Sequence, residues 1–216
     1  MDVAAELERA YSAMQAGEPA RAATICTALL RTEPGREDAL TLLGLALHAQ
    51  HRYTDACRVF QTLTQINPTD STHWANLGTM QRQAGDADAA LATYARAAAQ
   101  GANSADFLLS VGLLHLERGD YEHARHLLAD ARAAAPRDAG VAIQFAQVCY
   151  DLLRIDEATA TLADWTKLDD MTADVIEIRA RATMLRTNDD TYIVVPNAPL
   201  TESATINRTS DRPSPR

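Results

Sequence analysis

Between residues 71 and 104 large apolar positions, with small and polar ones interleaved, fall at helical spacing. Trp74, Leu77, Gly78 and Gln81 come first, and Ala90, Tyr94 and Ala97 follow after a break at Gly85 and Asp86. Steps of three and four place each set on one face of a helix. Thr69, Asp70 or Ser71 can cap the first helix, because a side-chain oxygen there accepts an orphaned backbone N–H. Gly85 suits the left-handed residue that ends many helices. The second helix is expected from about Asp86 to Gln100. Gly78 opposite Ala90 would let the two backbones approach, with Trp74, Leu77 and Tyr94 filling the space around them.

This pattern recurs at a spacing of 34 residues. Leu43, Leu77, Val111 and Phe145 form one column, and Gly44, Gly78, Gly112 and Ala146 a second. A third column is all alanine: Ala22, Ala56, Ala90, Ala124 and Ala158. Pro34 and Pro68 share a place that Pro136 revisits two periods later. Large, small and proline classes kept in separate columns mark a repeat, and repeats of this length build stacked helical arrays.

These residues resemble the tetratricopeptide repeat. Leu40, Leu43, Gly44, Leu47, Tyr53, Ala56, Phe60, Leu63 and Pro68 match its pattern in the second unit. Trp74, Leu77, Gly78, Gly85, Ala90, Tyr94 and Ala97 match in the third, which carries Ala102 instead of proline. The fourth matches with Leu108, Val111, Gly112, Gly119, Asp120, Tyr121, Ala124, Leu128, Ala131 and Pro136. The resemblance implies an all-α, right-handed superhelical solenoid of helix-turn-helix repeats. About five are expected, at 3–36, 37–70, 71–104, 105–138 and 139–172. The end units depart from the pattern. Leu153 stands where the last turn glycine belongs and Trp165 where alanine is usual. Terminal units of such arrays meet water and are atypical.

A capping helix is expected over about 173–186, with Val175, Ile176, Ala180 and Met184 on one side, so that the array spans 1–186. Beyond residue 187 the prolines and many Ser, Thr and Asn residues predict a disordered tail, 187–216, broken by the β-prone run Tyr192–Val195.

Composition narrows the function. Hydrophobic residues make up 47% of the 216-residue chain but aromatics only 5%, so alanine and leucine must build most of the core. A net charge of -9 argues against a general affinity for nucleic acid or an anionic membrane. Cys26, Cys57 and Cys149 are odd in number and lack a CxxC pair, so neither a disulfide framework nor a zinc knuckle is indicated. The acidic N-terminus is not a secretory signal, and no window approaches the roughly 18 apolar residues of a membrane span. A cytoplasmic protein with no membrane insertion is expected.

No phosphate loop, HExxH or GxSxG motif occurs, so no enzyme activity, catalytic residue or cofactor is expected. His48/His51 and His123/His126 are spaced by three, but no carboxylate or cysteine stands at matching spacing, and surface histidines are the expected reading over a metal site. His115 falls in a core column, as do Cys26 and Cys149.

What the resemblance implies about function is a concave groove, lined by the first helix of each repeat, that binds an extended peptide or partner helix. Carried over residue by residue, the groove is lined by Leu45 and His48; by Asn76, Thr79, Arg82 and Gln83; by Leu109, Leu113 and Leu116; and by Gln147 and Tyr150. Ile143 falls on the same face. The clamp that related repeats use for chaperone C-termini is not matched, since Thr41, Leu45, Asp106 and Ser110 stand beside Asn76. A non-catalytic scaffold for a protein or peptide partner is the leading reading, and the terminal repeats leave room for self-association. The alternatives are the recognition module of a bacterial sulfotransferase or glycosyltransferase, and a secretion or assembly chaperone.

Overall fold

The computed structural model describes residues 3–168 and four strands, Ala173–Ile178, Ala182–Thr187, Tyr192–Pro196 and Asn207–Thr209. The chain divides into two compact units, Met1–Asn103 and Ser104–Arg216. The first holds α1 (Val3–Gln15), α2 (Pro19–Thr32), α3 (Glu37–Ala49), α4 (Tyr53–Ile66), α5 (Ser71–Gln83) and α6 (Ala87–Ala99). The second holds α7 (Ala105–Glu117), α8 (Tyr121–Ala134), α9 (Ala139–Asp151), α10 (Ile155–Leu168) and the strands β1–β4. First helices start 34 residues apart, at 3, 37, 71, 105 and 139, and second helices at 19, 53, 87, 121 and 155. Every element within residues 3–168 is thus an α-helix, and these helices form an all-α repeat array.

Local chemistry accounts for these boundaries. Asp70 accepts the Thr72 N–H at 2.7 Å, Asp86 that of Ala89 at 3.1 Å, Ser104 that of Phe107 at 3.2 Å and Asp138 that of Val141 at 2.9 Å. Each is a side-chain cap on a helix start. Between the helices of every repeat one bond recurs, from the N–H of Glu18, Arg52, Asp86, Asp120 or Arg154 to the carbonyl five residues back, at 2.8–2.9 Å. It closes a left-handed turn. Gly17, Gly85 and Gly119 supply the positive φ in three repeats (73°, 86° and 77°), whereas His51 (57°) and Leu153 (60°) adopt it without being glycine.

The core is set by a second pairing, sixteen residues long. A Cβ added to Gly44 would lie 2.6 Å from the Phe60 ring, one on Gly78 2.6 Å from the Tyr94 ring, and one on Gly112 3.0 Å from Leu128. The ring of Tyr94, rather than Ala90, therefore lies on Gly78. Ala90 is itself fully buried. In the end repeats the two columns hold Ala10 with Cys26 and Ala146 with Leu162, all buried.

The capping helix expected over 173–186 is not formed. Residues 173–178 and 182–187 are β1 and β2, the first strands of an antiparallel sheet ordered β1-β2-β3-β4. Ala173 pairs with Thr187 and Ile178 with Thr183, with an irregularity between Val175 and Glu177. β3 pairs along all of β2, from Ala182↔Pro196 to Arg186↔Tyr192, and β4 pairs with Tyr192–Val194. Val, Ile and Thr are enriched in strands, and a short apolar run does not separate helix from strand by its period alone. The expected tail is corrected likewise: Tyr192–Pro196 and Asn207–Thr209 are strands, while its remaining residues lie outside those described, as does the Trp165 side chain.

Candidate functional site

The side chains expected to line a groove differ in exposure between the two units. In the first they lie on α3 and α5. Leu45 is 38% exposed on α3, a helix whose Leu40, Leu42 and Leu47 are buried. His48, Asn76, Arg82 and Gln83 are half-buried around that face. Burial first, then the nearby His51 and Arg82, hold the His48 imidazole below the usual histidine range. Thr79 is occupied internally: its Oγ1 donates to the Ala75 carbonyl at 3.1 Å and meets the Tyr94 hydroxyl at 3.1 Å. An open recess of about 360 Å³ adjoins this face, lined by His51, Arg52, Tyr53, Thr54, Asp55, Gln83 and Ala84.

In the second unit the apolar stretch is largely consumed by packing. Leu109, Leu116 and Tyr150 lie half-buried against the cluster of Ala142, Ile143, Phe145, Ala146 and Cys149. Ile143 is 3% exposed, so it belongs to the core and lines no groove. Its face of α9 is covered because Val141, Ile143, Phe145 and Val148 are buried around the whole helix. Leu113 is half-buried, and Gln147 donates to Asp151 at 2.9 Å. Two arginines tie the second helices together: Arg125 reaches Glu157 at 3.4 Å, and Arg132 reaches Thr161 at 3.1 Å while lying 4.7 Å over the Phe145 ring.

The histidines hold partners that their spacing in the sequence concealed. Asp120 accepts from His123 Nδ1 at 2.9 Å and His115 Nδ1 at 3.1 Å, which together hold its carboxyl below the usual carboxylate range despite some desolvation. The bond spans five residues back to His115 and three on to His123, and only the turn between α7 and α8 brings all three together. His115 is therefore half-buried and hydrogen-bonded rather than core. His73, nearly buried on α5, meets Glu37 of α3 at 3.1 Å, and its Nδ1 has no hydrogen-bond partner. Among the described residues no group of three His, Cys, Asp or Glu could hold a metal ion.

All three cysteines are free thiols. Burial pushes Cys26 up to about 11 and Cys149 up to about 12, the latter beside Glu157. Burial also raises half-buried Cys57, so none is primed as a thiolate nucleophile. Among the described residues no helix is long and apolar enough to cross a membrane.

The geometry is that of a helical repeat built from pairs of antiparallel helices. Residues 13–80 match the family model of the tetratricopeptide repeat, and 83–164 match that of the anaphase-promoting complex, cyclosome, subunit 3. With the recurring turn and the 34-residue columns, these matches place the chain in the tetratricopeptide repeat family, a class of protein-interaction scaffolds. Residues 155–210, which span α10 and the sheet, are similar to the β-domain of mechanosensitive ion channels.

Solved structures share the array. A tetratricopeptide protein of Thermus thermophilus superposes with TM-score 0.65 at 20% identity over 76% of this chain and 90% of its own. MamA of Desulfovibrio magneticus does so with TM-score 0.65 at 16% identity, over 79% of this chain and 97% of its own. YrrB, described as having an unusual peptide-binding site, gives TM-score 0.56 at 16% identity, covering 76% and 85%. No curated protein matches the chain in sequence.

Proposed function

We propose that the array is a non-catalytic adaptor that receives an extended peptide or a partner helix on the inner face of α3 and α5. The observation that carries this reading is the exposed Leu45 beside His48, Asn76, Arg82 and Gln83. Contiguous apolar patches rimmed by polar residues mark interaction sites, and Leu45 is proposed as the apolar centre of one. Leu113 extends the proposal to the second unit, where Leu109, Leu116 and Tyr150 contribute through packing more than through contact. Burying one leucine of the partner against such a face contributes about 1.5–3 kcal/mol. The free thiols agree with a reducing, cytoplasmic setting.

A second reading has one observation in its favour. Residues 155–210 resemble a module of another kind, so the repeats can be the recognition part of a protein whose further role lies in its C-terminal region.

Affinity capture from the native cell tests the adaptor reading. Leu45→Glu and Arg82→Glu are expected each to lose partners that the unaltered chain retains, and Leu113→Glu to lose fewer. An unchanged set of partners for Leu45→Glu and Arg82→Glu would sink the α3–α5 face as the site.

A further inference from the structure

Two neighbouring turns of the second unit carry an apolar edge that the proposed groove leaves unused. Tyr121 opens α8 and Ile155 opens α10 at the same place in their repeats, and Leu153 stands two residues before Ile155. They are 42%, 44% and 84% exposed, and they make up half of the large hydrophobic side chains left exposed among the described residues. The two helix starts lie side by side. Arg125, one turn beyond Tyr121 on the same side of α8, reaches Glu157 in the first turn of α10 at 3.4 Å.

The backbone supplies a second, independent sign. Gly85 and Gly119 hold the left-handed place in the third and fourth turns, and in the fifth Leu153 holds it with φ 60°. His51 does the same in the second turn with φ 57°, but its contacts hold it there. Its Nδ1 shares a hydrogen bond of 2.8 Å with the Tyr53 hydroxyl, and the rings of His51 and His48 meet that of Tyr53 at 5.8 and 5.6 Å. Leu153 can make no such bond, and its side chain stays in water. A costly backbone conformation kept at an exposed leucine points to a contact outside the chain, since strain of this kind gathers at functional positions.

The charge around the edge selects what it meets. Residues 117–125 and 151–157 hold six carboxylates against three arginines. Two of the arginines are engaged within the edge itself, Arg125 by Glu122 at 3.3 Å and by Glu157, and Arg154 by Glu157 at 3.2 Å. Asp151 is met by the Gln147 amide and Asp156 is exposed, so the rim beside Leu153 and Ile155 stays acidic.

We propose that Tyr121, Leu153 and Ile155 form a docking edge for a basic segment of a partner protein, which sets a large apolar side chain against Leu153 and lysine or arginine on the acidic rim. A second copy of the chain would bring one acidic rim against another, and an anionic membrane or nucleic acid would be repelled. None of the residues proposed to receive a partner on α3 and α5 takes part, so the two surfaces stand or fall separately.

A random peptide library displayed on phage, selected on the full chain, tests this. The recovered peptides are synthesised and their binding measured by fluorescence anisotropy on the unaltered chain, Leu153→Gly and Leu45→Glu. Leu153→Gly keeps the turn, because its closing bond from the Arg154 N–H to the Cys149 carbonyl is made by backbone atoms. Peptides that pair a large apolar residue with several Lys or Arg are expected to bind at least about tenfold more weakly to Leu153→Gly, the share of one covered leucine. They should bind Leu45→Glu unchanged and weaken as salt rises from about 0.05 M to about 0.5 M. If no recovered peptide depends on Leu153, or those that do lack basic residues, the docking edge is overturned. A set that depends on Leu45 alone supports the groove and overturns the edge. Should Leu153→Gly fail to fold, Ile155→Ser is scored by the same criteria.

Discussion

At the scale of single residues, the fold depends on which side chains are missing. Gly44 and Gly78 each lie where an added Cβ would sit 2.6 Å from an aromatic ring, and contacts that close are not tolerated without a shift. The partner sixteen residues on is Phe60, Tyr94 or Leu128 where glycine stands, and Cys26 or Leu162 where alanine stands. Small residue and large ring are thus complementary volumes in one interface. Gly78→Leu is expected to cost about 1–3 kcal/mol in urea unfolding, the range for overpacked cores. Gly78→Ala should cost less. Its combination with Tyr94→Leu, which copies the Ala146 and Leu162 arrangement, should recover part of that loss. Additivity of the two single changes would refute the pairing. The columns of glycine and alanine were legible in the sequence. Which side chain each glycine faces was not, because Ala90 and Tyr94 lie on the same helical stripe and only the crossing of the helices chooses between them.

Among the elements, the turns carry the clearest contrast. All five close with the same bond from the residue after the left-handed position to the carbonyl five residues back. At Leu153 this geometry is met by a leucine that is 84% exposed, so neither burial nor a side-chain bond of the kind at His51 offsets its strain. Leu153→Gly is expected to stabilise the chain by roughly 0.5–1 kcal/mol, as relief of the left-handed strain outweighs the added freedom of glycine. His51→Gly should gain less, since it also loses the bond to Tyr53. Thermal unfolding of the two variants side by side checks this order, and a larger gain at His51 would contradict it. Here the sequence showed that glycine was absent at 153, but not that the turn would keep its shape regardless. The Schellman-type bond is made by backbone atoms and does not depend on the side chain at that position. The segment 173–186 shows the opposite case. Its apolar residues suited a helix stripe, yet β2 pairs with a strand on each side and β1 with β2, and the Val, Ile and Thr residues of the segment favour that arrangement.

For the molecule as a whole, the two units carry their own cores. In Met1–Asn103 the buried sets include Leu7 with Leu29 and Ala39, and Leu40 with Phe60, Leu63 and Leu77, all inside that segment. Stability in such arrays is close to a sum of each repeat and its contact with the next. A fragment of residues 1–103 is therefore expected to fold with helical circular dichroism and to unfold cooperatively. Its urea m-value should be lower than that of the full chain, in proportion to the surface it exposes. A fragment that is unfolded in buffer would show that the first unit lacks a self-sufficient core.

The sequence by itself determined the helical repeat, its period, the starts of the five repeats and the columns that pack. These follow from local spacing, from caps such as Asp70 and Asp86, and from turn residues, and each acts within a few positions along the chain. Tertiary structure decided the rest. It placed Leu109, Leu116 and Ile143 against the core of the second unit while leaving Leu45 open in the first. It brought His115 and His123 to one carboxylate, gathered His48 and His51 around Tyr53, and folded 173–187 into paired strands. Every one of these depends on distances between residues that are remote in the chain or on opposite sides of a turn. The physical reason is that periodicity fixes which face a residue occupies, whereas its neighbours across the interface fix what that face is used for.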